Sequence, residues 1–370
     1  MITNGKISVR QFTILVVIFT VGSAILYVPG LLAEEAKQDA WLAGIVGTGF
    51  GLLSAWPIKS LAERFPGQRL TEYSVVLLGK IAGPAVSIVY FLYFFMLSAM
   101  LLRDVGDFVT TQMMPETPIQ AILIAFMFIS IYAVRLGIEV IARAAEFFFP
   151  ILIGLASILF ILLVPKIDFV QLTPVLERGI GPAFKAAPPF IAIPFLQLSV
   201  FLMLFPLVSN AKRAGRVFMG GVLAAGMFLI LFTTVCLLVL GAYLTSVESF
   251  PSYALAKQAN IGEFIQRTEA VMAVIWFLSI FFKLSLCFYA SARFYADTFK
   301  LSEIRASLFP MGLILVPLST VIYPNAVYTT LIVKSAFFYF MPTGFLIPAL
   351  LLVVARIRGL RTRTDDGRIA

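Results

Sequence analysis

Apolar residues run through this chain in blocks of about 20, separated by short clusters of charged residues, glycine and proline. A helix that crosses a hydrocarbon core about 30 Å thick needs a block of that length, because each residue advances only about 1.5 Å. The blocks predict ten spans, at roughly 11–34, 40–58, 81–103, 118–134, 141–164, 184–207, 215–243, 268–291, 306–324 and 335–355. The fold class that follows is all-α, a polytopic membrane protein forming a single transmembrane domain over residues 1–370. The blocks at 118–134 and 306–324 are the shortest.

Two blocks contain residues that an unbroken helix tolerates poorly. The first holds Gly22-Ser23-Ala24 and then Pro29, so it combines backbone freedom with a missing donor. The sixth holds Pro188, Pro189 and Pro194. These interruptions lie five spans apart, and an odd spacing makes the two helices run in opposite directions. That pattern predicts a five-plus-five inverted repeat with interrupted helices 1 and 6, repeat one covering about 8–164 and repeat two about 178–355. Unwound backbone at membrane depth is tolerated where it lines a cavity or is buried in protein. A small-molecule ligand is therefore expected at the midplane, against Gly22, Ser23 and Ala24 on one side and Phe190, Ile193 and Pro194 on the other. Two ordinary proline kinks are the alternative. On the third span Tyr90 and Phe94 share a face with Leu97, and either wall the pocket or pack against a neighbour.

Lys283 stands out in the eighth span. It lies ten residues before Arg293, or about 15 Å along a helix, which puts a cation near the midplane. A charge there costs roughly 3 kcal/mol on insertion scales and so usually faces a cavity or a partner. Ser279, Lys283, Cys287 and Ser291 recur every four residues on one face.

Composition narrows the function classes. Hydrophobic residues make up 61% of the chain, charged residues 13%, and the mean hydropathy of +1.00 requires a bilayer as solvent. The net charge of +9 does not form a nucleic-acid stripe. With the N-terminus inside, 19 of the 28 lysines and arginines fall in inner segments, which places both termini in the cytoplasm and makes 356–370 a basic cytoplasmic tail facing membrane lipid. Lys6 and Arg10 precede an apolar stretch long enough to span, with no small-residue cleavage site, so a retained first helix is expected. There is no histidine, and Cys236 and Cys287 both lie in apolar runs, so no metal, cofactor or disulfide framework is expected. No catalytic constellation is present, and the chain reads as no enzyme. Gly44, Gly47 and Gly51 form a small-residue stripe suited to close helix approach. Arg103, Asp104 and Asp107 read as a solvated outer helix end, and Glu139–Arg143 with Glu146 as salt bridging at an inner helix start or as an inner gate. Glu34, Glu35 and Asp39 make an acidic outer loop.

Several stretches resemble one family. They are Gly5-Lys6-Ile7-Ser8-Val9-Arg10-Gln11-Phe12 with the Gly22–Pro29 break, Arg64-Phe65-Pro66-Gly67-Gln68-Arg69-Leu70-Thr71-Glu72-Tyr73 with Leu78-Gly79-Lys80, and Arg135 to Glu146 followed by Phe149-Pro150. Together they are similar to the B subunit of bacterial spore germinant receptors, within the amino acid–polyamine–organocation superfamily of transporters. The resemblance implies residence in the spore inner membrane, sensing of a nutrient such as an amino acid, and assembly with a germinant-receptor A subunit and a lipoprotein C subunit. Many superfamily members carry Gly-Ser/Thr-Gly at the first interruption, whereas Ala24 here narrows backbone approach. Sodium-coupled members hold a cation between the eighth span and the first interruption. The resemblance therefore implies that the ammonium of Lys283 substitutes for that cation, bonding first-span carbonyls near Gly22 with help from Ser279. A lysine that merely ties two helices is the alternative. Three functions stay open: a ligand-sensing receptor subunit, an ion- or proton-coupled amino-acid transporter, and a scaffold for other subunits.

The topology predicts that loops 35–39 and 244–267 face outward. A single cysteine at position 260, in a background lacking Cys236 and Cys287, should label only from the outside; labelling only from the inside would invert the topology.

Overall fold

The computed structural model describes residues 6–259, 267–301, 303–323 and 326–360, so the expected turn at Asn260-Ile261-Gly262 and residues 361–370 of the basic tail lie outside the described residues. Among those described, eight helical stretches are long and apolar enough to cross a membrane. One of them, Ala24–Arg64, reverses at Lys37–Asp39 and supplies half of the first span and all of the second. The shorter apolar helices Val9–Val21 and Arg305–Val321 complete the first and ninth spans, giving ten passes.

In chain order, α1 (Val9–Val21) and α2 (Ala24–Ala36) form the first span, and α3 (Ala40–Arg64) the second. Then follow α4 (Leu70–Phe108), α5 (Ile119–Leu136) and α6 (Ile138–Leu163). The second repeat opens with α7 (Gly181–Ala192), which continues as the 3-10 helix Leu196–Met203, then α8 (Ala211–Val247) and a short outer helix α9 (Pro251–Lys257). It ends with α10 (Glu269–Thr298), α11 (Arg305–Val321), α12 (Ala326–Met341) and α13 (Ile347–Ile357).

The breaks fall beside Pro29, Pro188 and Pro189 and not at them, while Pro194 lies within the sixth-span break. A capping box starts α1, with Ser8 Oγ accepting from the Gln11 amide at 3.1 Å and Gln11 Oε1 accepting from the Ser8 amide at 2.9 Å. The helix stops at Gly22, whose φ of +20° suits glycine. It restarts at Ala24 and runs on through Pro29. Pro29 has no N–H to offer the Ile25 carbonyl, and the Ser252 hydroxyl of α9 donates to that carbonyl instead, at 2.5 Å. The sixth span likewise passes Pro188 and Pro189 and breaks after Ala192. Its continuation is eight residues of 3-10 helix, against the three or four usual for that geometry.

Small residues let the repeats approach. A side chain at Gly47 would strike the ring of Phe190, one at Gly51 the ring of Phe195, and one at Gly44 would come within 3.0 Å of Ile230. The glycine stripe of α3 is thus the surface on which the sixth and seventh spans seat.

The inner and outer surfaces depart from the expectations for the charged clusters. Glu146 bonds Arg10 (3.3 Å) and Gln11 (2.9 Å) across the inner face, and Glu139 and Arg143 form no ion pair with each other among the described residues. The acidic outer loop is also tied down. Glu34 pairs with Lys334 at 2.6 Å, Glu35 with Lys185 at 2.7 Å, and buried Asp39 accepts from the Leu176 amide at 3.0 Å. Helix-start pairing failed as an expectation because it considers only neighbours in sequence, whereas Glu34 and Glu35 are exposed as solvation implies and Asp39 alone of the three is buried.

Gly51→Leu should lower the stability of the purified protein by about 1–3 kcal/mol through overpacking, whereas Gly49→Leu, with nothing within 4 Å of its added carbon, should be nearly silent. Thermal unfolding in detergent measures both, and equal melting temperatures would show that the stripe is not a packing surface.

Candidate functional site

The two breaks lie side by side, and Lys283 of α10 joins them. Its Nζ donates to Ser23 Oγ at 3.1 Å and to the Ile193 carbonyl at 3.2 Å, and sits 5.2 Å from the centre of the Phe19 ring. The side chain is fully buried. Gly22 makes this path possible, because a carbon added there would lie 2.5 Å from Lys283 Cδ and 2.7 Å from the Phe19 carbonyl. The carbonyl that Lys283 uses belongs to the sixth span. Its expected first-span carbonyl contacts are replaced by the Ser23 hydroxyl, and Ser279 Oγ donates to the Ile275 carbonyl of its own helix at 2.8 Å.

Beside this junction is a cavity of about 40 Å³, lined at the breaks by Ser23, Ile193 and Gln197 and on the third span by Leu97, Leu101 and Asp104. Tyr27, Tyr323 and the tenth-span residues Val333, Ala336 and Phe340 close the rest. A water needs roughly 10–15 Å³ by such a measure, so the space suits a compact polar solute. Tyr27 and Val333 also border a wider vestibule of about 300 Å³, which is walled by Glu34, Asp107, Glu248 and Phe250 and continues to the outer side. On the inner side, contacts among the described residues draw the span ends together. Ile7 and Val208 form an isolated parallel bridge, Arg10 meets Glu146, and Asp297 joins Arg69 (3.4 Å) to Arg293 (3.0 Å).

Of the residues expected at a ligand, Ser23 and Ile193 line the cavity. Gly22 and Ala24 are the backbone of the junction, and buried Pro194 lies in the sixth-span break. Phe190 instead packs edge-on to Phe195, at 5.6 Å, against α3. Tyr90 and Phe94 lie inward of the cavity. The Tyr90 hydroxyl donates to the Thr343 carbonyl at 2.7 Å, and both rings stack on Phe294, at 5.4 and 6.0 Å. Their shared face therefore contacts the eighth and tenth spans, which is the packing alternative. Gln197 and Asp104 were missed. Gln197 follows the prolines in an apolar run, and a lone amide there was the available signal. Asp104 read as a solvated helix end, but α4 continues to Phe108 and keeps it on the cavity.

Comparison with known proteins agrees with this architecture. Residues 6–327 match the family model described as "Spore germination protein". Spore germination protein KB of Bacillus subtilis (strain 168) is 32% identical over 87% of this chain and 86% of its own length. Spore germination protein A2 of the same organism is 25% identical over 96% of this chain and 97% of its own. Among solved structures, MhsT in complex with L-phenylalanine superimposes with a TM-score of 0.70 at 13% identity, covering 96% of this chain and 93% of that one. The nucleobase-cation-symport-1 transporter MHP1, closed with bromovinylhydantoin bound, gives 0.66 at 12%, covering 98% and 96%. These two likenesses carry the fold alone.

Gly22→Ala should cost about 1–3 kcal/mol of stability, since its added carbon meets backbone as well as Lys283. An unchanged melting temperature in detergent would show that the junction is looser than its contacts imply.

Proposed function

The chain belongs to the spore germination protein family, and on that premise we propose that it is the nutrient-sensing membrane subunit of a germinant receptor. A small molecule such as an amino acid would enter from the outer vestibule and bind at the midplane. It would act by favouring one arrangement of the two breaks over another, since a ligand shifts a conformational equilibrium only through differential affinity. The shift would pass to a receptor A subunit and a lipoprotein C subunit in the spore inner membrane and so trigger germination. One observation supports the reading: the cavity sits against both helix breaks and shares the lining residues Tyr27 and Val333 with the outer vestibule. In the same reading the ammonium of Lys283 substitutes for a coupling cation, which would make the response independent of sodium.

Secondary transport of the same ligand, coupled to an ion or proton, is the second reading. The outward vestibule above an inner face bridged by ion pairs favours it, because alternating access requires such an asymmetry.

Spores test both readings. Ala336→Met should fill the cavity and raise the amino-acid concentration needed for germination about tenfold, the equivalent of about 1.4 kcal/mol, with protein level in the membrane unchanged. Lys283→Met should insert normally yet change ligand sensitivity, and the parent should respond without sodium. Normal dose–response in both variants would overturn the receptor reading, a sodium requirement would overturn the role of Lys283, and uptake of labelled amino acid by liposomes would favour transport.

A further inference from the structure

Asp104 is a carboxylate on a membrane cavity without a cation assigned to it. It makes no hydrogen bond or ion pair with any described residue, although it lies within electrostatic reach of Lys283. Its neighbouring cation is already committed. Arg103 donates through Nε to Asp107 Oδ1 at 2.7 Å and through Nη1 to the carbonyls of Thr320 (3.1 Å) and Tyr323 (3.2 Å). Lys283 is likewise held by Ser23 and Ile193.

A second group points the same way. Gln197, only 2% exposed, lines the same cavity, and its Oε1 has no hydrogen-bond partner among the described residues. A buried acceptor left bare costs about 1–3 kcal/mol. The cavity thus presents two acceptor groups without donors, one of them a carboxyl, and needs donors to satisfy them. At its other pole are the Ser23 hydroxyl, with Lys283 behind it, and the first turn of α2, a set suited to an anion.

We infer that the ligand carries a protonated amino group, which Asp104 and the Oε1 of Gln197 receive. This rests on the ligand-binding reading above and narrows it to amines and amino acids, with sugars and simple carboxylates excluded. Asp104 is then the residue that discriminates among solutes small enough to enter. Glu34, Asp107 and Glu248 lie along the approach, the first two paired with Lys334 and Arg103.

The test is thermal stabilisation of the purified full-length protein by five probes. L-alanine is a zwitterion of suitable size, propionate is the same acid without its amino group, and ethylamine keeps the amine without the carboxylate. Glucose and potassium chloride complete the set. L-alanine and ethylamine should stabilise the parent, while propionate and glucose should not. Asp104→Asn and Gln197→Leu should each weaken L-alanine about tenfold or more, as loss of a charge-assisted or buried hydrogen bond implies. Should Asp104→Asn fail to fold, the Gln197→Leu result decides. Propionate or glucose binding as tightly as L-alanine would overturn the inference, as would unchanged L-alanine affinity in both variants. Stabilisation by potassium chloride alone, lost in Asp104→Asn, would overturn it in favour of an inorganic cation. If no probe stabilises the parent, the amine inference fails, while the receptor reading still stands or falls on the Ala336→Met spores.

Discussion

The burial of one ammonium group constrains this architecture more than any other interaction. Lys283 is fully enclosed near the centre of a span, where a charge costs roughly 3 kcal/mol unless it is bonded. Its partners are the Ser23 hydroxyl and a carbonyl that an unbroken sixth helix would not have spared. The breaks and the lysine therefore depend on one another. Straighten the sixth span and Ile193 takes back its carbonyl; add a side chain at Gly22 and the lysine stem loses its path. The ligand cavity is what remains beside this junction once the two half-helix ends and the lysine are in place.

That junction explains the polarity of the two membrane faces. On the inner side charged pairs and a backbone bridge draw the ends of the first, fifth and sixth spans together. Above the junction the wider vestibule separates α2, α4 and the tenth span, and Glu34–Lys334 is the one ion pair among the described residues that ties the first span to the tenth. Salt screens an exposed pair of that kind readily, and it is worth at most about 1 kcal/mol. The outer closure is the weaker one in this arrangement.

The spans, the two breaks and the depth of Lys283 were legible in the sequence because the bilayer imposes a fixed length and penalises charge and missing donors. Three features were not legible, each for a physical reason. Hydropathy ends the third span at the first charges, near Arg103, so Asp104 was assigned to solvent, whereas the helix runs on to Phe108 within the protein. Tyr90 and Phe94 share a helical face, but periodicity does not say which neighbour that face meets. Glu146 pairs with Arg10, 136 positions earlier in the chain, whereas local spacing offered only the Glu139–Arg143 pair. Prolines mark the neighbourhood of a break more reliably than its position, because a carbonyl freed by proline can find a hydroxyl elsewhere.

Ser252 is such a hydroxyl, and it has a mechanical consequence. By bonding the Ile25 carbonyl it makes α9, in the loop between the seventh and eighth spans, a splint for α2. Any tilt of α2 that left α9 behind would strand a bare carbonyl away from water, at a cost of several kcal/mol. The two must therefore travel together, as one arm hinged at Gly22. A displacement of a fraction of an ångström at the hinge is magnified along that arm.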